Sequence, residues 1–202
     1  MNDTKSMIKN ALILFAITLV AGVLLGLVYQ VTKEPIAYQD KLAQDKANQS
    51  VFASASTFDD VTLDEAAAAA VASEFTGVSI ESVKEAKDAS GAGLGYVIQV
   101  KSKGYGDFIT YTVGITNEGN INGISIIKIA ETPGLGMNAE KVIAPQFVDK
   151  AAAIYSVAKN GQVTDPATQI EAISGATITS KAVTNGVNGA VSYFENVLKG
   201  GQ

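Results

Sequence analysis

Apolar residues run without interruption only once along the chain. From Ala11 to Val31 (ALILFAITLVAGVLLGLVYQV) no charge occurs over 21 residues. As a helix rising roughly 1.5 Å per residue, that run is long enough to cross a hydrocarbon core of about 30 Å. Lys5 and Lys9 precede it, Lys33 follows, and Tyr29 is placed for the membrane interface. A cleaved signal peptide has a shorter apolar core, about 7–15 residues, and then a small-residue cleavage site. The sequence VYQVTKEP supplies no such site, so the pattern predicts a retained anchor. Lysines nearly balance across it and do not orient it. The short N-terminal side and the long acidic remainder favour export of the C-terminal domain.

Past the anchor, Glu34 to Asn48 is polar with scattered apolar positions and predicts a helical stalk. Thr62-Leu-Asp-Glu65 reads as a capping box for an alanine-rich helix from Leu63 to Phe75, ended by Gly77. At Gly95 the period falls to two: Tyr96, Ile98 and Val100 alternate with Val97, Gln99 and Lys101. Gly104-Tyr105-Gly106 turns the chain. Phe108–Ile115 and Ile121–Ile129 are β-rich and joined by the turn Asn117-Glu118-Gly119-Asn120, so an antiparallel meander is expected. Helix returns loosely over Val142–Ser156 and clearly over Lys181–Leu198. There Val183, Val187, Ala190, Val191, Phe194, Val197 and Leu198 share one face. The expected organisation is a tail (1–10), a transmembrane anchor (11–31), a stalk (32–50) and one α+β domain (51–202) with an antiparallel sheet and flanking helices.

Composition narrows the chemistry. A formal net charge of -5 argues against nucleic acid, which requires basic patches. All fifteen basic residues are lysine, so a bound anion must rely on backbone N–H groups rather than a guanidinium fork. Cysteine and histidine are absent. Disulfides, iron–sulfur clusters, thiolate nucleophiles and Ser-His-Asp triads are thereby excluded, and the usual zinc site is disfavoured. Any redox chemistry must come from an organic cofactor.

Two segments are dense in glycine and hydroxyls: Glu131-Thr132-Pro133-Gly134-Leu135-Gly136, and Ser174-Gly175-Ala176-Thr177-Ile178-Thr179-Ser180 leading into the last helix. The second packs four hydroxyls into seven residues, ahead of a helix expected to begin near Lys181. Two readings stay open on physics alone. Thr179 or Ser180 caps the helix, or the helix N-terminus holds a phosphate, with Lys181 as a further partner. In the first segment Pro133-Gly134 signals a type II turn, outside any strand-GxGxxG-helix context.

Taken together, ETPGLG and SGATITS resemble the FMN-binding domain shared by the G subunit of the Rnf complex and the C subunit of the sodium-pumping NADH:quinone oxidoreductase. The Gly104–Asp107 turn, Thr112–Ile115, Gly119–Gly123 and the single anchor resemble the same family. The resemblance implies FMN esterified through its phosphate to Thr177 by a flavin transferase, with Ser174, Gly175 and Ala176 shaping the turn. Thr179 and Ser180 are then expected to add donors, Thr132 to Gly136 to lie against the flavin, and Glu131 to flank it. Glu171 stands where the family usually has Asp. Of the aromatic residues, Tyr105, Tyr111 and Phe108 are candidates to cover the ring or to fill the core. The implied role is a one-electron relay in a membrane complex, with the other Rnf-type subunits as partners and the domain on the non-cytoplasmic side. A stand-alone membrane flavoprotein serving an extracellular acceptor is the alternative. A non-redox module whose SGATITS only caps a helix is the third reading.

Overall fold

The computed structural model describes residues 2–199. The chain divides into two compact units, Met1–Ala43 and Gln44–Gln202. Helix α1 (Asn2–Val51) begins in the first and ends in the second. Its apolar stretch is exposed throughout, and among the described residues it is the one helix long and apolar enough to cross a membrane. The residues expected to form a stalk are helical as well.

In the second unit six strands form an antiparallel sheet in sequence order: β1 (Thr57–Val61), β2 (Val78–Lys87), β3 (Gly93–Lys103), β4 (Phe108–Thr116), β5 (Asn120–Lys128) and β6 (Lys150–Ala151). The expected meander is β3-β4-β5, and Gly119 takes the left-handed φ of 82° that the β4–β5 turn needs. A small parallel pair, β7 (Ser156–Ala158) with β8 (Gln169–Glu171), lies outside this sheet.

Period-2 alternation sends Ile98 and Val100 of β3, and Ile109, Tyr111, Val113 and Ile115 of β4, into the main core. The long helix α4 (Thr177–Tyr193) covers that core with Val183, Val187, Ala190 and Val191. The helix α2 (Glu65–Glu74) adds Val71. On the opposite face Val97 and Ala86 meet Val51 at the end of α1 and Phe52 and Ala55 just beyond it. Gly114 lies directly beneath: a Cβ there would stand 3.0 Å from Val51 and 3.1 Å from Phe52. The missing side chain lets the helix end approach the sheet.

Four expectations are corrected. Thr62 does not cap α2; Asp64 does, its Oδ1 accepting from the N–H groups of Ala66 and Ala67 at 3.0 Å. The last helix starts at Thr177, one turn before Lys181. Neither Thr179 nor Ser180 caps it: the N-cap is Ala176, which has no side-chain oxygen to offer. Val142–Ser156 is not a helix. The short helix α3 (Ala139–Val142) and a 3₁₀ turn (Ala144–Phe147) are followed by strand β6. Pro145 withdraws a backbone donor and Asp149 has φ 62°, so helix cannot continue.

Candidate functional site

Three loops meet at the start of α4. The first is the β3–β4 turn, Gly104–Asp107. The second follows β5, where the Leu135 N–H donates to the Thr132 carbonyl at 3.1 Å and Gly134 takes φ 75°. That is the turn Pro133-Gly134 signals. The third is Ser174–Ala176, which enters α4 through Gly175 at φ 77°. Between them lies a cleft of about 470 Å³ lined by Tyr105, Glu131, Thr132, Leu135, Gly136, Gly175, Ala176, Thr177, Ile178 and Thr179. That size falls within the usual range for cofactor sites.

The N-terminus of α4 opens onto this cleft. Its first intrahelical bond runs from the Ser180 N–H to the Ala176 carbonyl at 3.0 Å. Among the described residues no acceptor meets the N–H groups of Thr177, Ile178 and Thr179. A helix end with uncapped donors and the positive end of its dipole suits a phosphate. Thr177 is exposed at this first turn, its hydroxyl committed to no partner among the described residues.

The neighbouring hydroxyls are engaged elsewhere. Thr179 is buried and donates to Glu131 Oε2 at 2.7 Å. Ser180 is buried; its Oγ accepts from the Ile173 N–H at 3.0 Å and donates to the Ala176 carbonyl at 2.9 Å. Their hydroxyls shape the loop and leave no free O–H directed at a ligand. Glu131 is also buried, and its Oε1 accepts from the Gly106 N–H at 3.1 Å. Gly104 leaves no room for a Cβ against Glu131 Oε1, and a Cβ on Gly136 would meet Thr179 Oγ1 at 2.7 Å.

Of the residues singled out in the two segments, Ser174, Ser180, Pro133 and Gly134 stand outside the cleft lining. Ser174 is exposed. Glu171 is turned to another task, its Oε1 accepting from the Gly161 N–H at 2.6 Å. Lys181 lines a separate cleft of about 190 Å³ with Thr76, Ser102 and Asn185. Of the three candidate aromatics, Tyr111 is fully buried in the core and Phe108 lies beneath Lys101 and Lys103, with their Nζ atoms 4.8 and 5.0 Å from its ring centre. Only Tyr105 lines the cleft, and it is exposed. Ile178 was not singled out from the sequence. Its signal is an apolar residue, 55% exposed, among the hydroxyls of a helix's first turn.

Known proteins resemble this chain along its whole length. Residues 104–192 match the model of the FMN-binding domain, and residues 1–51 match that of the RnfG N-terminal region. The chain is 36% identical over 200 residues to the G subunit of the Na(+)-translocating ferredoxin:NAD(+) oxidoreductase complex of Acetobacterium woodii, covering 98% of this chain and 96% of that protein. It is 32% identical to the G subunit of the ion-translocating oxidoreductase complex of Methanosarcina acetivorans, covering 96% and 97% respectively. Among solved structures, NqrC of Shewanella oneidensis aligns with a TM-score of 0.49 and 20% identity over 71% of this chain and 70% of that one.

Proposed function

Since this chain belongs to the G-subunit family of Rnf-type ion-translocating oxidoreductases, we propose that it is an electron-transfer subunit of such a complex and carries FMN joined by a phosphoester to Thr177. The observation that supports the attachment is the start of α4: an exposed threonine hydroxyl set among three unclaimed backbone N–H groups. A phosphodiester formed at that oxygen lies where the helix dipole and those donors stabilise its charge. The residues fit the group. Gly175 lets the backbone approach closely, and Leu135, Ile178 and Tyr105 offer apolar and aromatic surface to a flat ring. Bound there, FMN supplies the redox chemistry that no side chain of this protein provides.

The other parts of the reading follow from the anchor and the family. The relatives are named as subunits of ion-translocating ferredoxin:NAD(+) oxidoreductase complexes, so the partners are the other subunits of the membrane assembly. The chain contributes a relay to the oxidoreductase rather than a complete activity. A single pass through the cell membrane holds the domain on the non-cytoplasmic side, where free FMN is scarce and a covalent link removes the dissociation equilibrium. Maturation requires a flavin transferase that recognises the Ser174–Thr177 turn. The expected organisation stands as part of this proposal: tail, anchor, stalk and FMN-binding domain at 1–10, 11–31, 32–50 and 51–202.

Thr177→Ala tests the attachment. The substituted side chain is exposed at a helix N-terminus, and alanine suits a first helical turn, so the change in stability is expected within about 0.5 kcal/mol. Flavin fluorescence that survives full denaturation is expected in the parent chain and lost in the variant, both produced alongside the transferase. Retention of that fluorescence by the alanine variant would assign the link to another residue.

A further inference from the structure

We propose that Glu131 is the positioning residue of the cleft: its buried carboxylate ties the three wall loops together and opposes the charge that arrives when a ring bound there is reduced. The second half rests on the reading that the cleft holds FMN. Among the described residues, Glu131 is the one charged side chain lining the cleft. Both its oxygens act as acceptors, Oε1 from the Gly106 N–H and Oε2 from the Thr179 hydroxyl. An acceptor-only setting suits a carboxylate rather than a carboxylic acid. No lysine or N-terminal group stands within ion-pairing distance among the described residues, so the charge is held by hydrogen bonds alone.

The packing around it leaves little slack. Gly104, Gly106 and Gly136 each come so close to the 130–131 backbone or to the Glu131 side chain that a Cβ would collide. The Thr179 bond reaches across 48 residues of sequence and fixes the first turn of α4, where Thr177 sits. One side chain thus sets the distance between the Tyr105 turn, the Leu135 turn and the attachment site. A buried negative charge is weakly screened and disfavours added negative charge nearby. Glu131 therefore lowers the midpoint potential of a ring held in the cleft.

Glu131→Gln separates geometry from charge, because the amide oxygen can accept from Gly106 and the amide nitrogen can donate to Thr179 Oγ1. In the intact chain produced with the transferase, the Gln variant is expected to load flavin like the parent. Its midpoint potential, read by spectroelectrochemical titration, is expected to move upward and to keep that shift at high salt. An unchanged potential in a loaded Gln variant overturns the electrostatic role. Positioning is read without flavin, in a Thr177→Ala background. There Glu131→Ala is expected to speed amide exchange at Gly106, Ala176 and Ser180 by tenfold or more, with Glu131→Gln near the parent and amides within strands β3 and β4 unaffected. Equal exchange in all three chains overturns the positioning role. A parent chain that carries no flavin defeats the FMN reading and with it the electrostatic role, while the exchange arm still decides positioning.

Discussion

Tyr111 lies wholly buried beneath α4, its hydroxyl donating to the Val183 carbonyl at 2.8 Å. Gly186 belongs to the same contact, since any Cβ there would collide with the Tyr111 hydroxyl. Burial pushes the phenol up from its ordinary value of 10.0. A folded pKa above the unfolded one means that stability is full below about pH 10 and declines as pH rises beyond it. Tyr111→Phe is expected to cost about 1 kcal/mol at neutral pH through the lost hydrogen bond. The variant should then lose less stability than the parent between about pH 8 and about pH 11, as urea denaturation at the two values would measure. The same scale shows what the sequence could tell of the site. Gly134 and Gly175 were legible because only their φ freedom explains a glycine in each turn. The start of α4 was not. Four hydroxyls in seven residues each look like a cap, yet the N-cap is Ala176 and the hydroxyls of Thr179 and Ser180 are spent on Glu131 and the Ile173–Ala176 loop.

Among the elements, the end of α1 does more than connect. Val51 and Phe52 are 2% and 3% exposed, and they cover Ala86 and Val97 on the sheet face away from α4. The Asn122 side-chain amide donates to the Val51 carbonyl, and Gln44 bonds Gln99 of β3. A chain beginning at Gln44 is expected to fold and melt cooperatively. One beginning at Ala53 should be destabilised by about 3–5 kcal/mol or more, the cost of removing a buried aromatic, with chemical denaturation as the measure. The sequence predicts a stalk only as far as residue 50, because the scattered apolar positions of Glu34–Asn48 show no long periodic face. The β3–β5 meander was plain from clean alternation and turn residues. Strands β1 and β2 were not anticipated. β2 carries register shifts at Ile80/Ser82 and Ala86/Lys87, which break the period-2 pattern a strand needs to be recognised. β1 is five residues, mostly exposed, and presents Asp59 and Asp60 to Lys87 and Lys84 of β2.

At the scale of the whole molecule, an acidic domain follows the helix that, among the described residues, is the one long and apolar enough to cross a membrane. The cleft lies among the loops that join β3 to β4, leave β5 and begin α4, so a six-stranded sheet and a long helix hold the Thr177 turn from both sides. Loops fixed on rigid elements keep a reactive group in place without an enclosed pocket. What is joined to Thr177 decides whether this chain is a flavin carrier. The direct measurement is intact mass of the chain extracted from membranes of cells that hold the flavin transferase, followed by peptide mapping. The expected result is a gain equal to FMN less one water, confined to the peptide that contains Thr177. A chain of unmodified mass from such cells, or the same gain on another peptide, would contradict it.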